Sequence, residues 1–148
     1  MTFKKYTEAF DKPFDFKHQK TNTEGELYTF QDTEGFVFEV SIVTNDTSYR
    51  DSEGERRTRT IANVLFKKDG SLKKSPGGEP FRVFATVYAI MLDYNFNDVD
   101  GLEIGLDKGD NSRLKLYKSM MKKLQKKFKM RHAEEEHTSD YIFLQISR

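Results

Sequence analysis

The lysines near the C-terminus have the spacing in this sequence that most directly suggests chemistry. The segment NSRLKLYKSMMKKLQKKFKM, residues 111–130, carries lysines around a run of regularly spaced apolar residues. Clustered lysines neutralise nucleic-acid phosphates, contact a protein partner, or only solvate the outer face of a helix. We keep all three interpretations open at this point. The candidate residues for nucleic-acid or partner binding are Lys115, Lys118, Lys122, Lys126 and Lys129.

Tyr117 and Arg113 are two further candidates in the same segment. Tyr117 falls on the apolar side of the predicted helix, where an aromatic residue at helical spacing usually packs in the core. Arg113 follows the predicted N-cap, where the helix dipole mildly disfavours a cation. It therefore either pairs with Asp107 or Asp110 or helps to hold an anion at the helix N-terminus.

The histidines do not form a recognisable metal motif. His132 and His137 flank three glutamates in HAEEEH, which lacks the spacing of the helical zinc motif H-E-x-x-H. We expect a solvated loop there and no metal site, and His18 stands alone. The chain has no cysteine, which excludes disulfides and thiolate chemistry and fits a reducing cytosol or a virion.

Composition predicts one folded domain with no strong global charge. The chain has 148 residues, of which 36% are hydrophobic and 33% charged, and its 13 Phe and 7 Tyr can close a core with few aliphatic residues. A net charge of +1 gives no global attraction to nucleic acid or membrane. The start of the chain lacks the apolar core of a signal peptide, and no apolar run approaches the length of a membrane span. We therefore expect no membrane partner.

Alternation of apolar and polar residues predicts the strands. Residues 27–43 contain two strands joined by the turn QDTEG, residues 59–67 form a third, and residues 44–58 form a polar loop. Residues 101–106 and 140–148 are two further strands. We expect residues 1–24 to form an N-terminal arm or short helix and residues 25–148 to form a single domain.

Two helices complete the prediction. The first begins near Pro80, and the second, residues 112–131, is capped by Asp110, Asn111 or Ser112. The order β-β-β-α-β-α-β predicts an α/β (α+β) domain with a mixed, largely antiparallel sheet and packed helices. The predicted apolar side of the first helix is Phe81, Phe84, Ala85, Tyr88, Met91 and Leu92, and that of the second is Leu114, Tyr117, Met121, Leu124 and Phe128.

This order and one short motif resemble the GNAT acyltransferases, over about residues 27–146. The family's last helix carries N-x-x-A-x-x-L-Y, and its L-Y is found here as Leu116 and Tyr117, with Asp110 and Arg113 at the Asn and Ala positions. The resemblance implies a coenzyme A or acetyl-coenzyme A cofactor and a general-acid role for Tyr117.

The family's pyrophosphate motif, [QR]-x-x-G-x-[GA], is matched best by RVFATV, residues 82–87, where Ala85 and Val87 replace small or glycine residues. Side chains at these positions would crowd the phosphates that helix N–H groups hold, and the Gly77–Gly78 pair has a different spacing. We therefore expect no cofactor and a non-catalytic binding or structural module; an N-acetyltransferase with a divergent loop is the alternative. The cofactor contacts of that alternative would be Phe81, Arg82, Val83, Phe84, Ala85 and Arg113.

A second resemblance covers the apolar helix, the short strand and the basic helix with its S-R-x-x-L-Y motif, formed by Ser112, Arg113, Leu116 and Tyr117. This arrangement is similar to small proteins of tailed bacteriophages. It implies a phage accessory or virion-associated protein in the host cytoplasm or the virion. The implied partner is a virion component or a second copy, with nucleic acid bound by the helix of residues 112–131 as another alternative.

Overall fold

A computed structural model of the protein describes residues 12–20, 25–68, 80–108 and 111–148. These residues form a mixed seven-stranded sheet and two α-helices, which confirms the predicted α+β class. The strands are β1 (Phe16–Lys20), β2 (Gly25–Gln31), β3 (Val37–Arg50), β4 (Arg56–Lys68), β5 (Gly101–Asp107), β6 (His132–His137) and β7 (Tyr141–Ser147). The helices are α1 (Pro80–Tyr94) and α2 (Asn111–Phe128), and a 3-10 turn spans Phe96–Asp98.

The sheet has the strand order β1-β2-β3-β4-β5-β7-β6. β1 and β2 pair antiparallel, as do β5 and β7 and also β6 and β7, whereas β4 and β5 are parallel. The parallel pairing is short, since residues 61–64 of β4 match residues 101–104 of β5. The next residues, Leu65 and Gly105, are not partners, although β5 stays paired with β7 as far as Asp107.

The chain divides into two compact units, and β3 and β4 contribute residues to both. The first unit is drawn from Met1–Ser41 and Phe66–Asn95. Its core is aromatic: the ring of Phe30 stacks on Phe14 at 6.1 Å and on Phe38 at 4.9 Å between centroids. Stacked aromatic side chains each bury a large area, so this unit closes with few aliphatic residues.

The helix α1 is joined to this aromatic core by hydrogen bonds to polar side chains. The Phe14 N–H donates to Oγ1 of Thr86 at 2.8 Å, and the Tyr28 hydroxyl donates to Asp93 at 3.1 Å. Burial, and then the Asp93 carboxylate, raise the pKa of the Tyr28 hydroxyl. Leu92, predicted on the apolar side of α1, is exposed.

The second unit comprises Ile42–Leu65 and Phe96–Arg148. Its sheet residues alternate between a side that packs in the core and a side that is more open, as the period of a strand requires. The buried residues of β5 and β7 lie on one side, and α2 contacts β7. They are Leu102, Ile104, Leu106, Ile142, Leu144 and Ile146.

Among the first four strands, the structure describes two hairpin turns, and both have the same four-residue pattern. The pattern is DTEG at residues 32–35 and DSEG at residues 51–54. In each turn the aspartate Oδ1 accepts two backbone N–H groups, from Glu34 and Phe36 or from Glu53 and Glu55. The final glycine has φ of 91° in the first turn and 81° in the second, a conformation that glycine adopts without strain. The first of these turns lies where the sequence predicts one.

Two sequence-based predictions are wrong: one missed parts of β3 and β4, and the other missed β6 entirely. Residues 44–58 are not a loop, because β3 continues to Arg50 and β4 begins at Arg56. HAEEEH is not a solvated loop either, because residues 132–137 form the strand β6. β6 lies at the end of the sheet order and all six of its residues are exposed, so its pairing with β7 comes from the backbone and not from buried side chains.

Other predictions fall partly outside the described ranges. Within the predicted N-terminal arm the structure describes residues 12–20, and Phe16–Lys20 form β1. Asp110 as helix cap and the Gly77–Gly78 loop lie outside the described residues.

Candidate functional site

The helix α2 is amphipathic in the register that the sequence predicts. Tyr117, Met121, Leu124 and Phe128 are buried, and Leu114 is half-buried at the N-terminal end. Met120 is buried as well, which widens the apolar side beyond the predicted residues. Because one side of the helix is held in the core of the second unit, its opposite side is fixed in place and faces solvent.

Four lysines lie on that solvent-facing side and a fifth directly follows the last residue of α2, and we call the five the lysine stripe. The four helical members are three, four and four residues apart, so consecutive members are neighbours on the helix surface. All five are exposed. The lysine stripe comprises Lys115, Lys118, Lys122, Lys126 and Lys129.

Within the described part of the chain, only Lys118 of the lysine stripe forms a salt bridge. Its Nζ lies 2.7 Å from Oε1 of Glu135, on the neighbouring strand β6. Glu135 also contacts His137, and the hydrogen bonds from Lys118 and His137 hold the pKa of the Glu135 carboxyl below its usual value. The other four ammonium groups keep their charge available for an outside partner.

The lysine stripe ends in a tight C-terminal cap. Lys129 has φ of 55°, and the Met130 N–H donates to the Gln125 carbonyl at 2.9 Å. The Gln125 side chain in turn donates to the Met130 carbonyl at 3.2 Å. This is the hydrogen-bond pattern of a Schellman cap, with lysine at the position that usually holds glycine.

Two depressions adjoin the lysine stripe. A shallow hollow of about 440 Å³ is lined by Ser119, Lys122, Lys123 and Lys126 of α2, together with Gln125 and Met130. A groove of about 270 Å³ runs between α2 and the strands β6 and β7, and we call it the α2–β6 groove. Its lining includes Met121, Leu144, Ile146, Ala133, Lys122 and Glu135.

Tyr117 and Arg113 lie together on the same helix. Tyr117 is 3% exposed, and the Arg113 guanidinium carbon lies 5.8 Å from the centre of its ring. The predicted alternatives for Tyr117 were core packing and catalysis, and burial at this level is what packing requires. The arginine adds a cation–π contact near the start of α2.

The candidate cofactor residues at the start of α1 belong to the first unit. Phe84 and Ala85 are buried, whereas Phe81, Arg82 and Val83 are half-buried. The Arg82 guanidinium lies 3.9 Å from the centre of the Phe14 ring, and its Nε donates to the Lys12 carbonyl at 3.0 Å. Arg82 therefore already has protein partners within its own unit.

Glu103 is a half-buried carboxylate on β5, and its side chain lies on the other face of the sheet from Leu102 and Ile104. Its partners in the strand register are Asn63 on β4 and Gln145 on β7. Burial, and then the negative charge of Glu136, raise the pKa of the Glu103 carboxyl. Sequence inspection gave no reason to select Glu103 among the many acidic residues of the chain.

The sequence identified the lysines but not the residues that line the α2–β6 groove beside them. Glu135 and Ala133 escaped notice because their segment was interpreted as a loop, and Gln125 because a polar residue on a helix carries no signal. Alternation in a highly charged strand is hard to recognise when no position is buried.

The described residues contain neither a metal-binding cluster nor a membrane-spanning helix. Among the described residues, no group of three or more His, Asp or Glu could hold a metal ion. None of the helices in the described ranges is long and apolar enough to cross a membrane. Comparisons with protein families, curated proteins and solved structures found no match to this chain.

Proposed function

We propose that this protein is a binding module that uses the lysine stripe of α2 to hold an anionic partner. The observation that carries the proposal is the geometry of the stripe: four exposed lysines lie in line on α2 and a fifth follows its end, and four of the five have no carboxylate partner among the described residues. Repulsion between like charges along a helix is unfavourable, so a helix that keeps them together is suited to a partner of opposite charge.

The biological setting is a second part of the same proposal. The resemblance of the S-R-x-x-L-Y helix and its neighbours to tailed-bacteriophage proteins supports an accessory or virion-associated protein. Such a protein would act in the host cytoplasm during infection or in the virion, with a virion component or a second copy as its partner.

A binding titration tests the proposal. A fluorescent oligoglutamate and an oligothymidylate of equal length serve as anionic probes, and fluorescence anisotropy reports their binding. We expect Lys122→Gln with Lys126→Gln to weaken binding strongly, and Lys108→Gln with Lys127→Gln, two exposed lysines of the same unit off the stripe, to have a smaller effect. Equal loss in both double variants would show a diffuse charge effect and overturn the assignment to the stripe.

Salt dependence distinguishes nucleic acid from a protein partner in the same assay. Each phosphate contact releases a counterion, so nucleic-acid affinity must fall steeply as salt rises. A partner that also uses apolar contacts retains more of its affinity in salt.

A second candidate function, acyl transfer from acetyl-coenzyme A, is favoured by one observation. The parallel strands β4 and β5 pair over four residues each, and Leu65 and Gly105 are no longer partners. A cofactor that enters between two parallel strands needs them to separate in this way. Arg113 and Tyr117 at the start of α2 would be the residues on the second unit that act on it.

Thermal denaturation with coenzyme A and acetyl-coenzyme A tests this candidate. A ligand that binds the native state raises its apparent stability once it is well above its dissociation constant. We expect a saturable shift that Tyr117→Phe alters if the protein is a transferase. No shift at millimolar ligand would contradict acyl transfer and leave the binding-module proposal unaffected.

A further inference from the structure

We infer that the anionic partner of the lysine stripe is an acidic protein segment that inserts one apolar side chain into the α2–β6 groove. The inference rests on the proposed function, since it identifies the partner class of the same surface. It is carried by the shape, lining and charge of the groove that adjoins Lys122.

The groove exists because a small residue stands where the sheet meets α2. Ala133 on β6 is opposite Ile146 on β7, and Ile146 is 2% exposed beneath the helix. The methyl group of Ala133 leaves an open space of about 270 Å³ beside Met121 and Leu144. That volume suits one aliphatic or aromatic side chain and is small for a nucleotide with its sugar and phosphate.

The rim of the groove is charged in an asymmetric way. On the α2 side stands Lys122, which has no carboxylate partner among the described residues. On the β6 side stands Glu135, which Lys118 already engages. A matching ligand therefore carries its negative charge on the side that faces α2 and an apolar group at its centre.

These features favour a peptide over nucleic acid. The backbone of a nucleic acid is negatively charged throughout, so a strand crossing the groove would meet the carboxylate of Glu135 on β6. Aromatic platforms for base stacking are also missing from the groove lining, which is aliphatic, polar or charged. An acidic peptide can place its carboxylates along Lys122 and Lys126 and avoid β6.

A pair of matched peptides tests the inference. The first is a short oligoglutamate ending in a leucine amide, the second is the same peptide ending in a serine amide, and an oligothymidylate of equal length is the third probe. We expect the leucine peptide to bind about tenfold more tightly than the serine peptide, because burying one leucine side chain is worth at least that factor.

Two variants locate the leucine. Ala133→Ile fills the groove with a residue that strands favour, whereas His132→Ile places the same side chain on the opposite face of β6. We expect Ala133→Ile to abolish the preference for leucine without changing serine-peptide binding, and His132→Ile to retain the preference. Circular dichroism and thermal denaturation of both variants confirm that they fold.

The outcomes separate the two proposals. Equal binding of both peptides, weakened by Lys122→Gln, would overturn the groove inference and retain the lysine stripe as a binding surface. Tighter binding of oligothymidylate than of the leucine peptide would also overturn it, in favour of nucleic acid. Failure of all three probes to bind would overturn both the inference and the proposed function.

Discussion

Glu103 is the residue whose ionisation the structure of the second unit disfavours. Its carboxyl is half-buried on β5, near the charge of Glu136, and both effects raise its pKa. Between the ordinary pKa and the raised one, the folded state binds more protons than the unfolded state. The contribution of Glu103 to stability is therefore fully present at low pH and is lost as pH rises through the raised pKa.

We predict that Glu103→Gln is more stable than the native protein near neutral pH and that this advantage disappears as pH falls below the ordinary carboxyl range. The amide keeps the shape of the side chain and removes the charge. Urea denaturation across the acid-to-neutral range measures the difference. A constant difference at all pH values would show that Glu103 is not the titrating group.

Lys129 is the one member of the lysine stripe whose backbone is strained. Its φ of 55° lies in the left-handed region, which costs a residue with a side chain roughly 1 kcal/mol relative to glycine. We predict that Lys129→Gly raises the free energy of unfolding by about 0.5–1 kcal/mol and that Lys129→Ala does not. Chemical denaturation measures the free energy of unfolding of the two variants. Equal values would show that the left-handed backbone at residue 129 is not strained.

At the level of elements, Arg148 joins the end of β7 to the end of α2 and to the 3-10 turn. Its guanidinium donates to the carbonyls of Val99 at 3.1 Å, Phe128 at 2.6 Å, Phe96 at 3.0 Å and Asn97 at 3.2 Å. Carbonyls at a helix C-terminus, such as that of Phe128, lack partners within the helix, and a planar cation with several donors can serve such a carbonyl and those of the turn together.

We predict that Arg148→Ala lowers the free energy of unfolding by about 1–2 kcal/mol, because hydrogen bonds from a charged group are lost. Arg148→Lys should recover only a small part of this, since one ammonium group cannot reach all four carbonyls. Urea denaturation of both variants tests the prediction. Full recovery by lysine would show that charge alone, and not the shape of the guanidinium, holds these ends together.

The helices and strands that can be predicted from the sequence are those with buried side chains along one side. The second helix is evident because Leu114, Tyr117, Met121, Leu124 and Phe128 follow helical spacing, and such spacing has one structural explanation. The strand β6 was missed because none of its residues is buried, so its conformation depends on backbone pairing with the next strand, β7.

The same limit applies to the long hairpin of β3 and β4. Its outer part is polar, and it is held by contacts across the strands, such as the hydroxyl of Thr60 on Asp46 at 2.7 Å and the hydroxyl of Thr47 on the Arg59 carbonyl at 3.3 Å. Neither contact leaves a periodic signal in the sequence. For the candidate site, the lysines were predictable by type, whereas Ala133 and Glu135 depended on the missed strand.

On the scale of the whole molecule, net charge is a poor guide to binding. The chain carries a net charge of +1, yet four lysines share one face of α2 and a fifth follows its end, while three successive glutamates occupy β6. At physiological salt, charges separated by more than about 8 Å are largely screened, so a partner responds to the local surface. A protein of nearly neutral total charge can therefore present a basic binding surface.

The two compact units also divide the candidate functions between them. The lysine stripe and the α2–β6 groove lie entirely within the second unit, whereas the residues that open α1 lie within the first. We therefore expect binding through the lysine stripe to involve residues of the second unit.

The measurement that most directly tests the lysine stripe as the binding surface is an NMR titration of the isotope-labelled protein with oligoglutamate. We predict that the largest changes in backbone amide shifts fall within residues 115–129 and at Ala133, and that Lys122→Gln with Lys126→Gln suppresses them. Changes centred instead on Phe14 and Arg82 of the first unit, or no changes at all, would contradict the account.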